Sequence, residues 1–307
     1  MILVLNLNAS LDKMYRIPRL ERGKVMRVRA ENTAGGKGFH VANVIYALGE
    51  SVVAMGFLGG HTGKIIRELW EEKGIQSVFV PITDESRCCI NINDEDGQQT
   101  EILENGPILS AREAQIFLQH YENLLPKANI IVASGSLPQG LPLNFYRHLI
   151  RAAQKQGKKF LLDTSGATLA ESLLENPYFV KPNQEEIEAL TGHVVQSFTD
   201  AAREVQALQA QGIAFPVLTL GEQGACAGLQ KKLYRAKAPQ IKVQNAVGSG
   251  DAFTAGIAVA LKRNYQPEDA LRLGIASGAA NAELAESGQV HSQRVSELFR
   301  QVQVEII

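Results

Sequence analysis

Apolar positions fall into two regimes along this chain. From about residue 110 the period is helical, then short and continuous, then helical again. Ser110 and Glu113 have capping-box spacing and predict a helix through Leu124, with Ala114, Phe117, Leu118 and Tyr121 on one face. The run 130–133 predicts a buried strand that ends in Ser134-Gly135-Ser136. Helices are expected at 143–156, 183–191 and 199–211, and strands at 159–163 and 215–220, with Val180 preceding the second of these helices. Strands alternating with helices predict βαβ units and a mainly parallel sheet covered on both faces. The second regime is β-rich and more polar. Residues 11–33 carry Tyr15, Ile17, Val25, Arg27 and Val28 around a turn signal at Glu21-Arg22-Gly23. Residues 87–104 alternate through Cys89, Asn91 and Asn93, turn at Asp94-Glu95-Asp96-Gly97, and return through Thr100, Ile102 and Leu103. Both segments read as hairpins with one wet face, and together they are expected to form a small sheet over the main body.

Composition narrows the picture. With 307 residues and 45% hydrophobic positions the chain is globular, and one large domain (1–307) with an inserted appendage is expected. The 31 Lys+Arg against 32 Asp+Glu give a net charge of −1, which argues against a protein that coats nucleic acid or an anionic membrane. Any polyanion must be held by a few placed groups. Cys88 and Cys89 are adjacent and Cys226 is distant, so no disulfide framework or zinc knuckle is indicated. The six histidines show no metalloprotease spacing. The opening Met1–Leu5 reads as a strand, and no apolar run reaches the roughly 18 residues of a membrane span, so a cytoplasmic protein is expected.

The candidate chemistry is phosphate handling. Val247-Gly248-Ser249-Gly250-Asp251 follows an expected strand at 240–244 and opens a helix whose small face is Ala252, Ala255, Gly256 and Val259. Glycines before a helix expose its unpaired N–H groups to an anion, and the helix dipole adds about half a positive charge. Asp251 reads either as an N-cap or as a general base beside the cradled phosphate. Ala34-Gly35-Gly36-Lys37-Gly38 opens a second helix, with Val41, Val44, Ile45 and Leu48 at helical spacing, and supplies a cation. Its plainer reading is a tight turn with a solvated Lys. Lys181-Pro182-Asn183-Gln184-Glu185-Glu186 is either a capped helix start or a pair, Asn183 and Glu186, that orients water around magnesium. The stretch from Thr219 through Gly221 to Gly224 is a hairpin turn or a backbone rest for a nucleotide. Arg87 offers a bidentate phosphate clamp and Asp12 an acceptor for sugar hydroxyls, against a surface ion pair and an Asx turn. A Walker A fails at Gly63-Lys64, where Leu58 and Ile65 replace the required Gly and Ser/Thr, and no G-x-G-x-x-G occurs.

These motifs, in this order, resemble the ribokinase-like sugar kinases of the phosphofructokinase B type, over essentially the whole chain. Asn6-Leu7-Asn8-Ala9-Ser10-Leu11-Asp12 resembles the family's opening motif, which implies Asp12 on the sugar. Gly35, Gly36, Lys37 and Gly38 with Asn43 resemble its first signature and substrate loop. Gly248, Ser249, Gly250 and Asp251 resemble its second, with the Asp as catalytic base over a backbone anion hole, and Asn183-x-x-Glu186 matches its magnesium-associated motif, with Glu186 acting through water. Ala9 departs from a common proline, and Phe39-His40 from the usual continuation. The resemblance implies a three-layer α/β/α fold with a small β-sheet lid over 11–33 and 87–104, and ATP and Mg2+ as cofactors. Lys181, Asn183, Thr219, Gly221, Gly224, Gly250 and Asn281 are then expected at ATP, and Arg87 with Lys37 at a phosphate already on the sugar. Arg87-Cys88-Cys89-Ile90-Asn91-Ile92, Thr100-Glu101-Ile102-Leu103-Glu104 and Gly135-Ser136-Leu137-Pro138 resemble the branch containing 1-phosphofructokinase and tagatose-6-phosphate kinase. Fructose 1-phosphate is the first expected substrate and tagatose 6-phosphate the alternative, with a non-catalytic sugar-phosphate sensor as a further one. Edge strands on such a lid imply pairing with a second copy, hence a homodimer.

Overall fold

A computed structural model describes residues 1–96 and 98–307. The first part of the chain runs β1 (Ile2–Asn6), β2 (Ser10–Ile17), β3 (Ala30–Gly35), α1 (Lys37–Ala47), β4 (Val52–Gly59), α2 (Gly60–Glu71), β5 (Gln76–Ile82), β6 (Arg87–Asp94) and β7 (Gln99–Leu103). The alternating part follows as α3 (Ala111–Leu124), β8 (Ile130–Ser134), α4 (Phe145–Lys155), β9 (Lys159–Asp163), α5 (Gly166–Leu173), β10 (Phe179–Val180), α6 (Gln184–Thr191), α7 (Phe198–Ala210) and β11 (Phe215–Thr219). The last part is β12 (Ala225–Leu229), β13 (Lys232–Lys237), α8 (Ser249–Lys262), α9 (Pro267–Ala282), α10 (Ser292–Phe299) and β14 (Gln303–Ile306).

Ten strands form one sheet in the order β14-β13-β12-β11-β10-β9-β8-β1-β4-β5. From β11 to β5 every neighbour is parallel, and β12 to β14 add an antiparallel edge. Alternation along β1 explains the three layers. Ile2 and Val4 pack into a core beneath α1, α8 and α9, whereas Leu3 and Leu5 pack into the opposite one beneath α3, α4 and α7. Trp70 and Phe39 anchor the first core; Phe117, Tyr121 and Tyr146 anchor the second. Each such buried side chain contributes about 1.5–3 kcal/mol. The capping box expected at Ser110 and Glu113 is present, with Phe117 and Tyr121 inward.

The two polar hairpins do join into a separate sheet of order β3-β2-β6-β7. Its central pair, β2 and β6, is parallel and places Ser10 opposite Arg87. Two details differ from the sequence expectations, and a third falls partly outside the described residues. The return strand of the first hairpin starts at Ala30, and Val25 and Val28 are exposed in the preceding loop. Arg19, Arg22, Lys24, Arg27 and Arg29 keep that loop solvated. The expected turn at 94–97 includes Gly97, which lies outside the described residues. The expected strand at 240–244 is irregular: β14 already occupies the edge beside β13, and the N–H groups of Gln244 and Asn245 turn to the carbonyl of Ala282. Among the described residues no helix is long and apolar enough to cross a membrane.

Candidate active site

Parallel strands collect their C-terminal ends along one edge, and ligands bind there where the chain reverses its winding. Here the reversal lies between β1 and β8, because β4 and β5 extend one way and β9 to β11 the other. Asn6, Ser134, Asp163 and Thr219 end strands on that edge, and Lys181 directly follows β10. The N-termini of α1 and α8 approach the same residues.

The start of α8 is fixed from behind and open in front. Its N-cap is Gly248, held left-handed at φ 82°, and it has no side-chain cap. Asn281 is fully buried. Its amide donates to the Val247 carbonyl (2.8 Å) and Ser249 Oγ (3.3 Å), and its oxygen accepts from the N–H groups of Gly288 (2.7 Å) and Gln289 (3.2 Å). Asn281, expected at ATP, thereby ties the 247–250 turn, through its amide, to the 288–289 backbone, through its oxygen. Asn245 Oδ1 braces the same turn by accepting from the Val247 N–H. The first-turn N–H groups of Gly250 and Asp251 crown the positive end of the helix, whereas that of Ser249 donates to the Ala246 carbonyl (3.2 Å).

Asp251 is not the N-cap. It is 5% exposed, and its Oδ2 lies 2.9 Å from Nδ1 of His40. The other ring nitrogen of His40, Nε2, lies 4.0 Å from Oδ2 of Asp12. Burial pulls the His40 pKa down, but the hydrogen bond and charge of Asp251 and the charge of Asp12 outweigh it, so the net shift is upward. Burial also raises the Asp12 carboxyl, against the Ser10 hydroxyl, His40 and Arg87. Gly35 lies flush against Asp12, and a Cβ there would overlap its carboxylate. Gly36 and Gly38 pack the same way on the buried Asn6. Arg87 donates from Nε to the Asn8 carbonyl (3.1 Å) and from Nη1 to the Glu104 carbonyl (3.0 Å), which anchors it beside Asp12.

A second group forms around Asp163. Both of its carboxylate oxygens are buried without a hydrogen-bond partner, and Lys181 Nζ stands 3.5 Å from Oδ1. The Lys37 ammonium is held well above its usual pKa, first by Asp163, against burial, and then by Asp251 and Glu186. The carboxylates that act on Lys37, which the sequence reading paired with Arg87, are thus those of this strand-end group and Asp251. Gly36, the left-handed residue before it (φ 102°), turns the chain at this point. Asn183 and Glu186 form a reciprocal capping box, the plainer of the two readings, and Glu186 keeps one carboxylate oxygen out of it. Thr219 leans on this corner through the Pro182 carbonyl. Gly221 is exposed, but Gly224 is buried against the backbone of Ala236, where no Cβ fits, so it serves the β11–β12 connection.

Asn43 does not join the carboxylates. It faces a separate cavity of about 230 Å³ with Tyr46, Lys73 and Gln289, one helical turn beyond His40. A larger cavity, about 640 Å³ and lined by Tyr178, Gln206, Gln209 and Lys231 among others, holds no comparable cluster. The chemistry is concentrated at the strand ends. Sequence reasoning passed over His40 and Asp163. Asp163 had a usable signal, a carboxylate closing the apolar strand Lys159–Asp163 in an α/β pattern. His40 was marked only as a departure from the family motif, because its partner is 211 positions away.

Among the described residues no three His, Cys, Asp or Glu side chains gather as a metal cage. The orphaned oxygens of Asp163 and the free oxygen of Glu186 nevertheless fit Mg2+, which binds through one or two carboxylates, water and substrate phosphates.

Known proteins resemble this chain over nearly its whole length. The profile of the pfkB family carbohydrate kinases matches residues 6–291. A tagatose-6-phosphate kinase of Staphylococcus epidermidis is 39% identical, over 99% of either chain. Phosphofructokinase-2 from Escherichia coli, in a crystal structure with potassium, superposes with a TM-score of 0.91 at 28% identity, covering 98% of each chain. Ribokinase of Arabidopsis thaliana, complexed with ribose and ATP, shares the fold with a TM-score of 0.78 at 23% identity, over 97% of this chain and 98% of that one. With the ribokinase-like fold and the family match both in place, the chain belongs to the pfkB family of carbohydrate kinases, ATP-dependent enzymes that phosphorylate sugars.

Proposed function

We propose that this chain transfers the γ-phosphoryl group of ATP to the free primary hydroxyl of a ketohexose monophosphate, giving the bisphosphate and ADP. The observation that carries this reading is the row Asp251, His40, Asp12, Arg87, which runs from an uncapped helix N-terminus to the small sheet. One end suits a reacting hydroxyl and the other an anion.

Asp251 accepts the hydroxyl proton through Oδ1 as oxygen attacks phosphorus. The N–H groups of Gly250 and Asp251, presented by the turn at Gly248 and Ser249, receive the charge on the transferring phosphoryl group. Lys37 and Lys181 neutralise the phosphate chain, with Thr219, Gly221 and Asn183 along the nucleotide side. Mg2+, when bound at Asp163 and Glu186 directly or through water, supplies further charge neutralisation. Arg87 meets the phosphate already on the sugar, and Asp12 accepts from ring hydroxyls beside the backbone of Gly35, Gly36 and Gly38. The small sheet acts as a lid that excludes water, and its exposed β7 edge pairs with a second copy in a homodimer. The three free cysteines suit a reducing cytoplasm.

A ketofuranose carries exocyclic carbons at both ends of its ring, so a clamp and a base at fixed spacing accept fructose 1-phosphate or tagatose 6-phosphate. The first was the expectation from sequence; the full-length resemblance to a tagatose-6-phosphate kinase favours the second. ADP release measured with fructose 1-phosphate, tagatose 6-phosphate, fructose 6-phosphate and fructose decides. Turnover confined to the unphosphorylated sugar overturns the reading, and silence on all four with ligand-induced stabilisation indicates a sensor. Arg87→Ala should raise KM for the phosphosugar about 10- to 100-fold, the worth of a charge-assisted hydrogen bond, and leave KM for ATP unchanged.

A further inference from the structure

We propose that His40 is a positioning residue of the phosphoryl transfer: its imidazolium bridges Asp251 and Asp12, fixing Oδ2 of the first so that Oδ1 meets the substrate hydroxyl. The proposal rests on the assignment of Asp251 as base, and it concerns a residue where this chain departs from the family pattern.

The ring is held on several sides. Its Nδ1 lies 2.9 Å from Asp251 Oδ2 and its Nε2 4.0 Å from Asp12 Oδ2. It lies against the backbone of Gly288, where any Cβ would need its space. Gly288 is itself tied to Asn281, the residue that shapes the anion-facing turn. The neighbouring Phe39 stacks on Trp70 with centroids 4.1 Å apart, which fixes the first turn of α1. His40 thus couples the position of α8 to that of α1.

Chemistry selects the protonation state. A neutral ring donating from Nδ1 to Asp251 would turn a lone pair at Nε2 toward the Asp12 carboxylate. The doubly protonated ring presents a donor to each. The charged groups that act on it are Asp251 from α8 and Asp12 from β2, both favouring the cation, and Lys73 beyond α2, opposing it. The first two prevail, in keeping with the upward shift. Without the cation, Asp251 and Asp12 would repel each other and the incoming phosphates. In the transfer step the sugar O–H bond breaks and its proton goes to Asp251 Oδ1. The sugar oxygen bonds to the γ-phosphorus, the bond from that phosphorus to the β–γ bridging oxygen breaks, and ADP leaves. His40 keeps its proton throughout.

The test is a pH series of kcat and KM on wild type, His40→Ala, His40→Asn and His40→Gln, with unfolding temperatures to confirm folding. Wild-type kcat should fall at alkaline pH as the imidazolium is lost. The acid limb, to which the buried Asp12 carboxyl contributes, should remain in every protein. His40→Ala should lower kcat about 10- to 100-fold, the loss of one charge-assisted contact. KM for ATP should hold. Asn or Gln, as neutral donors, should recover part of kcat without the alkaline limb. An alkaline limb that survives in His40→Asn overturns the proposal, as does kcat unchanged in His40→Ala. Imidazole nitrogen NMR, with the His40 signals assigned by their loss in His40→Asn, should show both nitrogens protonated at pH 7; a neutral ring there also overturns it. Asp251→Asn separates the two claims. If it retains turnover the base assignment itself fails, whereas if it collapses while the His40 variants behave as wild type, only the role of His40 fails.

Discussion

The two glycine-rich helix starts read alike along the chain, and the structure gives them opposite tasks. Before α8, Gly248 turns left-handed and the turn is braced from behind by Asn281 and Asn245, so its front N–H groups face outward. Before α1, Gly35, Gly36 and Gly38 are small because Asp12 and Asn6 lie against them. In the proposed function the first set of glycines shapes a cradle for a ligand, whereas the second makes room for the protein's own carboxylate and amide. Glycine in such a motif is thus ambiguous between exposing backbone and admitting a neighbour, and only the identity of that neighbour resolves it.

Substitutions at the two starts should therefore diverge. The largest effect belongs to Asp251→Asn, which should leave binding of both substrates largely intact while kcat drops by roughly 10²–10⁴, the range for losing a general base. Steady-state kinetics with binding measured separately checks this, and near-normal turnover would remove the catalytic half of the contrast. Asn281→Ala should act through the brace. It strands groups of the 247–250 turn and the 288–289 backbone, at about 1–3 kcal/mol for each buried partner left unmade, and should lower both the denaturation midpoint and kcat. A variant as stable and active as wild type would show that the turn holds itself. Gly35→Ala should give the smallest effect, and a different one. By displacing the Asp12 carboxylate it should raise KM for the sugar substrate about tenfold, the worth of one hydrogen bond, with KM for ATP little changed. A matching rise in KM for ATP would mean that both helix starts face the nucleotide, and the contrast would dissolve.

Much of this molecule was legible beforehand because its signals are local. The capping boxes at Ser110 and Asn183 are contained within four residues, and both appear as read. The strand from Lys159 to Asp163 announces itself by an apolar run, and the two polar hairpins by alternation. The segment at 240–244 failed because strand propensity needs a free sheet edge, and β14, from the far end of the chain, had taken it. Val25 and Val28 misled for a related reason: the apolar pattern continues past the point where pairing with β2 stops, at Tyr15 opposite Ala30. At the candidate site, Asp251, Asp12, Arg87 and the glycines were nominated by residue type and spacing, and the structure brings them together. The regrouping of Lys37 with Asp163, the enclosure of Asn281 and the turning away of Asn43 all depend on which side of a helix or turn meets the sheet.

Residue order alone fixed the alternating α/β plan, the small second sheet, and a near-neutral chain that must bind phosphate with placed groups. These follow from periodicity and from the chemistry of single side chains, which act over a few residues. The row from Asp251 through His40 to Asp12 and Arg87 was decided by tertiary structure, because its members come from α8, α1, β2 and β6. Charge interactions depend on distance and burial, and neither is defined until the strands are ordered around the reversal between β1 and β8.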